Sequence, residues 1–212
     1  MTEWRLFEQG TTPDFTTPEF FAAHPWVPPE QQGGHTARIE MVAHLVCDIV
    51  EGDKAAFHTI SDLGCGDGSL LTELMERPTT RGLGMWGYDA GTENVKKALE
   101  KGHVVAQANL LTDRIDCASI AVASEVVEHL LDPHGFLQRL PSRYLVISSP
   151  SAENDEWHYL HHAWAWDLDG YEALVTGAGW TIIEHLDVDG GPNYHNGIER
   201  PQRFQAISAR RA

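Results

Sequence analysis

Between His35 and Val50 the apolar residues Ile39, Val42, Ala43, Val46, Ile49 and Val50 recur at steps of three and four, which predicts an amphipathic helix that Gly52 ends. Beyond it, short apolar runs alternate with helical stretches. A strand ends at Asp62-Leu63, a glycine turn follows, and a helix is expected over Ser69 to Glu76. A second strand through Met85 to Tyr88 ends on Asp89, and a helix from Thr92 to Lys101 stops at Gly102 before a third strand near Val104 to Gln107. Ile120 to Ala123 and Tyr144 to Ser148 read as two more strands separated by helical stretches. A helix over Asp169 to Thr176 precedes the strand Trp180 to Leu186, and Phe204 to Ser208 is the last strand. Gly191 to Gly197 reads as a long turn between these two. Strands alternating with helices predict an α/β fold with right-handed crossovers, a mostly parallel sheet covered on both faces, and a closing antiparallel pair at one edge.

Residues 1–34 break this rhythm. Pro13, Pro18, Pro25, Pro28 and Pro29 stand among Phe15, Phe20, Phe21 and Trp26, a mixture too interrupted for long helices and too aromatic for a free tail. The expectation is a segment that packs down, as a lid over a site or as cover for the sheet edge, with residues 35–212 as a single domain. A length of 212 residues suits one α/β domain, and 42% apolar with 22% charged residues is a globular composition. Lys and Arg number 15 against 31 Asp and Glu, a formal charge of −16 that works against a dedicated duplex nucleic-acid binder. With neither a signal-like nor a membrane-spanning run, a cytoplasmic protein is expected; oligomeric state is left open. Cys47, Cys65 and Cys117 are far apart with no C-x-x-C pair, so reduced thiols are expected rather than a zinc ribbon or redox couple.

Asp62-Leu63-Gly64-Cys65-Gly66-Asp67-Gly68 joins the first strand to its helix, and absent β-carbons there let a ligand approach the backbone. A dinucleotide fingerprint would have glycine at position 69, where Ser69 stands, so a pyrophosphate is disfavoured. Asp89 lies 21 residues beyond Gly68 at the end of the next strand, from which a carboxylate can accept both hydroxyl protons of a ribose. Alone, the glycines would be a tight turn and Asp89 a helix cap. In this order after predicted strands, they point to an adenosine-containing ligand.

With G-Y-D at 87–89, A-N-L at 108–110 and S-E-V-V-E-H-L at 124–130, the stretch from Ile60 to Trp180 resembles the class I S-adenosylmethionine-dependent methyltransferases. The resemblance implies S-adenosylmethionine as cofactor and a Rossmann-like, seven-stranded, mostly parallel sheet with helices on both faces and an antiparallel last strand. It places Gly64 and Gly66 against the methionyl part, Asp89 on the ribose and Asn109 near the adenine, where the family more often has Asp. Asp62, Cys65, Leu110, Ser124 and Glu125 complete the implied cofactor set. The sulfonium methyl would be attacked in line by an acceptor that the protein only positions and deprotonates.

Glu125, Glu128 and His129 stand at i, i+3 and i+4, on one face if the segment is helical, at the carboxyl end of the fourth strand. Later come His158-Tyr159-Leu160-His161-His162 and Ala163-Trp164-Ala165-Trp166. Glu125, Glu128, His129 and His162 together could hold Mg²⁺ or Mn²⁺, which would bind vicinal hydroxyls and acidify the one to be methylated. E-x-x-E-H, His162 with Trp166 four places on, and Ser148-Ser149-Pro150 followed by Glu153-Asn154 resemble the small-RNA 3′-terminal 2′-O-methyltransferases. The acidic balance and the absence of a basic module depart from them. The plainer alternative is a metal-free pocket lined by Glu128 and His129, with His129 or His162 as general base. Trp157, Tyr159, Trp164 and Trp166 are expected either to wall an acceptor pocket or to complete a core, and His24, His35, His44, His103 and His185 to be structural or superficial. The leading expectation is O-methylation of a small-molecule acceptor. RNA-terminus methylation and a non-catalytic cofactor-binding module are the alternatives.

Overall fold

The computed structural model describes residues 2–6, 20, 35–159, 161–195 and 198–211. The strands are β1 (Glu3–Arg5), β2 (Thr59–Leu63), β3 (Gly84–Asp89), β4 (Val105–Gln107), β5 (Ile120–Ser124), β6 (Tyr144–Pro150), β7 (Trp164–Trp166), β8 (Thr181–His195) and β9 (Ile198–Arg210). The helices are α1 (His35–Gly52), α2 (Ser69–Glu76), α3 (Thr92–Glu100), α4 (Pro133–Arg139) and α5 (Leu168–Gly177), with a 3₁₀ turn at Val127–His129.

Seven strands form one sheet in the order β4-β3-β2-β5-β6-β9-β8. β4, β3, β2, β5 and β6 are mutually parallel, and β9 lies antiparallel between β6 and β8. Alternating side chains on each strand feed two cores. Ile120 and Val122 of β5 and Tyr144 and Val146 of β6 join Val42, Leu45 and Val46 of α1 and Leu70 and Leu74 of α2 on one face. Ala121, Ala123, Leu145 and Ile147 join Phe136 and Leu137 of α4 and Tyr171 and Leu174 of α5 on the other. This two-sided burial explains the near-continuous apolar runs of the central strands. The order reverses between β2 and β5, so their carboxyl ends open a crevice.

Three elements differ from the sequence expectation. Residues expected as a long turn from Gly191 instead continue the β8–β9 ribbon, with Asn193 paired to Arg200 and His195 to Ile198. A register shift between Asp189 and Gly191, with Gly191 at φ 82°, bends the ribbon without ending it. The segment at Glu125 is not helical, because Glu125 takes φ 55° and only Val127–His129 close a 3₁₀ turn. Trp164–Trp166 form a strand whose partner is the amino-terminal β1, in a separate two-stranded sheet. Of the expected lid, Pro13, Phe15, Pro18, Phe21, Trp26 and the other prolines lie outside the described residues; the Phe20 ring meets that of His161 edge-on at 5.1 Å. No described helix is long and apolar enough to cross a membrane.

Candidate active site

The glycine turn is held at the crevice by backbone bonds across the strand ends. Gly64 and Cys65 N–H both donate to the Tyr88 carbonyl, at 2.7 and 2.9 Å. Gly64 sits at φ 87°, and a β-carbon there would lie 2.4 Å from Cγ2 of Val126, so the turn closes on the β5 loop only with glycine. Gly66 N–H donates to Asp89 Oδ2 at 2.8 Å, while Oδ1 accepts from Gly91 N at 2.7 Å and Asn94 Nδ2 at 3.0 Å. Asp89 thus fastens the turn to α3 with three of the roughly four acceptor positions a carboxylate offers. Desolvation by burial raises its pKa.

Around this turn, burial and the neighbouring Asp89 push Asp62 up to about 7, and burial pushes the Cys65 thiol well above its ordinary range. Asn109 spends its side-chain oxygen on Leu111 N at 2.9 Å, closing a local turn, and Leu110 is buried in the core.

Across the crevice a directed chain of hydrogen bonds enters from α1. Arg38 Nη1 donates to Ser124 Oγ at 3.3 Å, and Ser148 Oγ donates to Glu125 Oε1 at 2.9 Å. Because the Ser148 proton goes to Glu125, the 2.9 Å bond between the two hydroxyls is donated by Ser124. Arg38 is only 4% exposed, its Nε has no hydrogen-bond partner, and it forms no ion pair among the described residues. It is a buried cation with an unused Nε–H donor beside the crevice.

Glu128, His129 and His162 converge farther along the same rim, each offering one donor atom within 4.8 Å of the others. Glu128 is 1% exposed and neither carboxylate oxygen has a hydrogen-bond partner; burial and the Glu125 charge push its pKa well above the usual range. His129 Nδ1 donates to the His161 carbonyl at 2.8 Å, which fixes the tautomer and leaves the lone pair on Nε2. Burial, aided by neighbouring His162, lowers the His129 pKa to about 3, so the ring is neutral across the physiological range. His162 Nδ1 bonds Glu153 Oε2 at 2.6 Å, and the two imidazole centroids are 4.8 Å apart. Ala163 N–H donates to the Glu128 carbonyl at 2.7 Å and ties the two halves together.

Glu125, the fourth member of the expected cluster, stands apart, because its left-handed backbone directs the carboxylate to Ser148. Trp166 is fully buried and Trp164 donates its Nε1 to the Leu130 carbonyl, so these two complete a core. Tyr159 is half-exposed with its ring 5.7 Å from that of His162. His103 bonds Thr72, His185 bonds Glu172 and Gln205, and His44 pairs with Asp48, all away from the cluster.

Residues 42–185 match the family profile described as a methyltransferase domain. The chain belongs to the class I S-adenosylmethionine-dependent methyltransferases. Magnesium protoporphyrin IX methyltransferase from Synechocystis, solved with SAH bound, is similar at TM-score 0.60 and 14% identity, over 93% of this chain and 96% of that one. An S-adenosylmethionine-dependent methyltransferase from Clostridium acetobutylicum is similar at TM-score 0.59 and 10% identity, over 80% and 90% of the chains. The methyltransferase domain of bacterial CtHen1-CN is similar at TM-score 0.51 and 17% identity, over 78% and 97%. No curated protein sequence matches. Sequence reasoning about this methyltransferase missed Arg38 and left Ser148 and Glu153, both named in a motif, without a role. A lone arginine at a helix start carries no signal until its burial is known, whereas Glu153-Asn154 after a Pro-ended strand was visible as a motif.

Proposed function

We propose that this enzyme methylates a hydroxyl oxygen of a small acceptor carrying two adjacent hydroxyls, with Glu128, His129 and His162 facing the acceptor. The observation that carries this reading is the Glu128 carboxylate, buried with no hydrogen-bond partner beside two imidazoles, one oriented by the His161 carbonyl and the other by Glu153. A carboxylate and two imidazoles, with carboxylate and carbonyl partners behind the rings, fit Mn²⁺ or Mg²⁺ as a donor set. A divalent cation there would supply acidification of the bound hydroxyl.

In this reading the chain's own residues do the positioning. Asp89 takes the ribose, Gly64 and Gly66 admit the methionyl part, and Arg38 takes its carboxylate through the guanidinium donors left over from Ser124. Asn109 and Leu110 lie toward the adenine, while Asp62, Cys65, Ser124 and Glu125 line the methionyl side. The acceptor oxygen attacks the methyl carbon in line; the C–O bond forms as the C–S bond breaks, the electron pair stays on sulfur, and S-adenosylhomocysteine leaves. The formal charge of −16 favours a small acceptor over an RNA terminus, whose ribose diol offers the same chemistry.

A metal-independent variant rests on the 2.6 Å bond between His162 and Glu153. Glu153 would hold the Nδ1 proton and stabilise the imidazolium formed when Nε2 takes the hydroxyl proton. The test measures methyl transfer from S-adenosylmethionine to a panel of diols, their mono-O-methyl ethers, primary amines and an oligoribonucleotide, with Mn²⁺ or with chelator. Diol-selective, Mn²⁺-dependent transfer supports the reading. Unchanged transfer in chelator assigns proton removal to His162, and transfer to amines alone overturns the O-methylation assignment.

A further inference from the structure

The amino-terminal strand sits on the other side of the segment that carries His162. β1 pairs antiparallel with β7, register Glu3 to Trp166, Trp4 to Ala165 and Arg5 to Trp164. Beyond the strand, Leu6 N–H donates to the Ala163 carbonyl at 2.9 Å, and Ala163 N–H donates to the Glu128 carbonyl at 2.7 Å. The backbone following His162 is thus gripped from both sides, by Leu6 and by Glu128.

The grip has a built seat. Asp167 Oδ1 accepts from Thr2 N at 3.0 Å and from Gly170 N at 2.7 Å, and Asp167 N–H donates to the Thr2 carbonyl at 3.2 Å. A β-carbon on Gly170 would lie 1.9 Å from that carbonyl oxygen, so the chain is admitted only where α5 lacks a side chain. Glu3 Oε2 accepts from Trp166 Nε1 at 2.8 Å and bonds His134 Nε2 at 2.9 Å, and the Arg5 guanidinium lies 5.3 Å from the Trp164 ring centre. Charged and backbone groups from α4, α5 and β7 therefore converge on five residues far from them in sequence. β1 is the strand neighbour of β7 among the described residues.

We infer that Thr2–Leu6 are a positioning element of the active site: by pairing with β7 they fix the backbone that sets His162 and, through Ala163, Glu128. This rests on the cluster reading above, yet among the described residues the strand's hydrogen bonds go to Ala163, Asp167, Trp166, His134 and its β7 partners and not to the residues assigned to the cofactor. Loosening it should loosen the cluster and leave cofactor binding intact, since small misplacements of reacting groups cost far more in positioning than in fold stability.

The test uses the full chain with Leu6→Pro, which removes the N–H given to Ala163, and Gly170→Ala, which blocks the Thr2 seat from the opposite element. Leu6→Ala keeps the N–H and serves as control. Mn²⁺ affinity, S-adenosylhomocysteine affinity and the imidazole ¹⁵N resonances of His129 and His162 are read for each. The expected result is Mn²⁺ binding weakened by about tenfold or more in Leu6→Pro and Gly170→Ala, imidazole resonances shifted toward tautomer averaging, and S-adenosylhomocysteine affinity within about twofold of wild type. Leu6→Ala should match wild type. If the wild type binds no Mn²⁺, the metal reading falls, and the imidazole resonances alone then decide the strand's role. Wild-type imidazole resonances in both folded variants would overturn the inference, as would equal losses of Mn²⁺ and S-adenosylhomocysteine binding. Should Leu6→Pro fail to fold, Gly170→Ala carries the same comparison, because alanine suits a helical position.

Discussion

Arg38 offers the sharpest test of where the cofactor's charged end lies. Arg38 is 4% exposed and its guanidinium makes one hydrogen bond among the described residues, to Ser124 at 3.3 Å, although it has five N–H donors. A cofactor carboxylate arriving there would form two charge-assisted bonds, each worth roughly 1.5–3 kcal/mol. The arginine already feels Asp62, Glu125 and Glu128, whose fields offset part of that gain. The lower limit of about 3 kcal/mol is therefore the appropriate figure, about 10²-fold in affinity. Arg38→Met removes the donors and keeps most of the volume. Calorimetry with S-adenosylhomocysteine and with its decarboxylated analogue, S-adenosyl-3-thiopropylamine, isolates the carboxylate. The variant should bind the first about 10²-fold more weakly and the second with unchanged affinity. Equal losses for both ligands would mean that Arg38 supports the fold of the crevice and does not meet the carboxylate; no loss for either would remove it from the site altogether.

Glu128→Gln should raise the melting temperature by a few degrees, because it neutralises a buried carboxylate whose oxygens have no partner, and should abolish Mn²⁺ binding and lower turnover by about 10²-fold or more. Scanning calorimetry and the methyl-transfer assay read the two effects in opposite directions. Asp89→Asn keeps the shape but sets an amide against the Gly66, Gly91 and Asn94 donors, so it should weaken S-adenosylhomocysteine by about tenfold or more and also lower the melting temperature. Asp62 has a pKa of about 7 in the fold against an ordinary value of 3.8, so the folded state holds its proton longer than the unfolded chain, and stability falls as pH rises from about 4 through 7. Asp62→Asn should match wild type near pH 4 and become more stable than it by up to about 4 kcal/mol above pH 7, measured by denaturant unfolding without cofactor.

The sheet was legible because its signals are local and repeated: β5 and β6 carry unbroken apolar runs, and the glycine turn sits between β2 and α2 where strand and helix periods change. Asp89 was legible for the same reason, as an acid at a strand end at a fixed distance from that turn. Arg38 was not, because its importance comes from burial against Ser124, 86 positions away, and helix periodicity gives no warning of it. β7 was not read as a strand because three residues are too few to show a period, and its pairing with β1 joins residues more than 150 positions apart. The ribbon beyond Asp189 was misread because Gly191-Pro192-Asn193 is turn chemistry, overridden by continuous pairing with the facing strand.

The i, i+3 spacing of Glu125 and Glu128 suggested one surface acting on one ion, and the backbone separates them. The left-handed turn at Glu125 hands that carboxylate to Ser148, from which the chain runs through Ser124 to Arg38 of α1. Glu128, three residues on in a 3₁₀ turn, is delivered to His129 and His162. Both carboxyls are raised by burial, but Glu125 has an arginine's field and a hydroxyl donor to restrain it. Glu128 has a like-charged neighbour second only to burial and no side-chain donor, and it is raised much further. Two acids of one type, set in different company, acquire different proton affinities and different duties. The left-handed backbone at Glu125 itself lets that carboxylate stay paired with Ser148, while Glu128 keeps carboxylate oxygens with no hydrogen-bond partner.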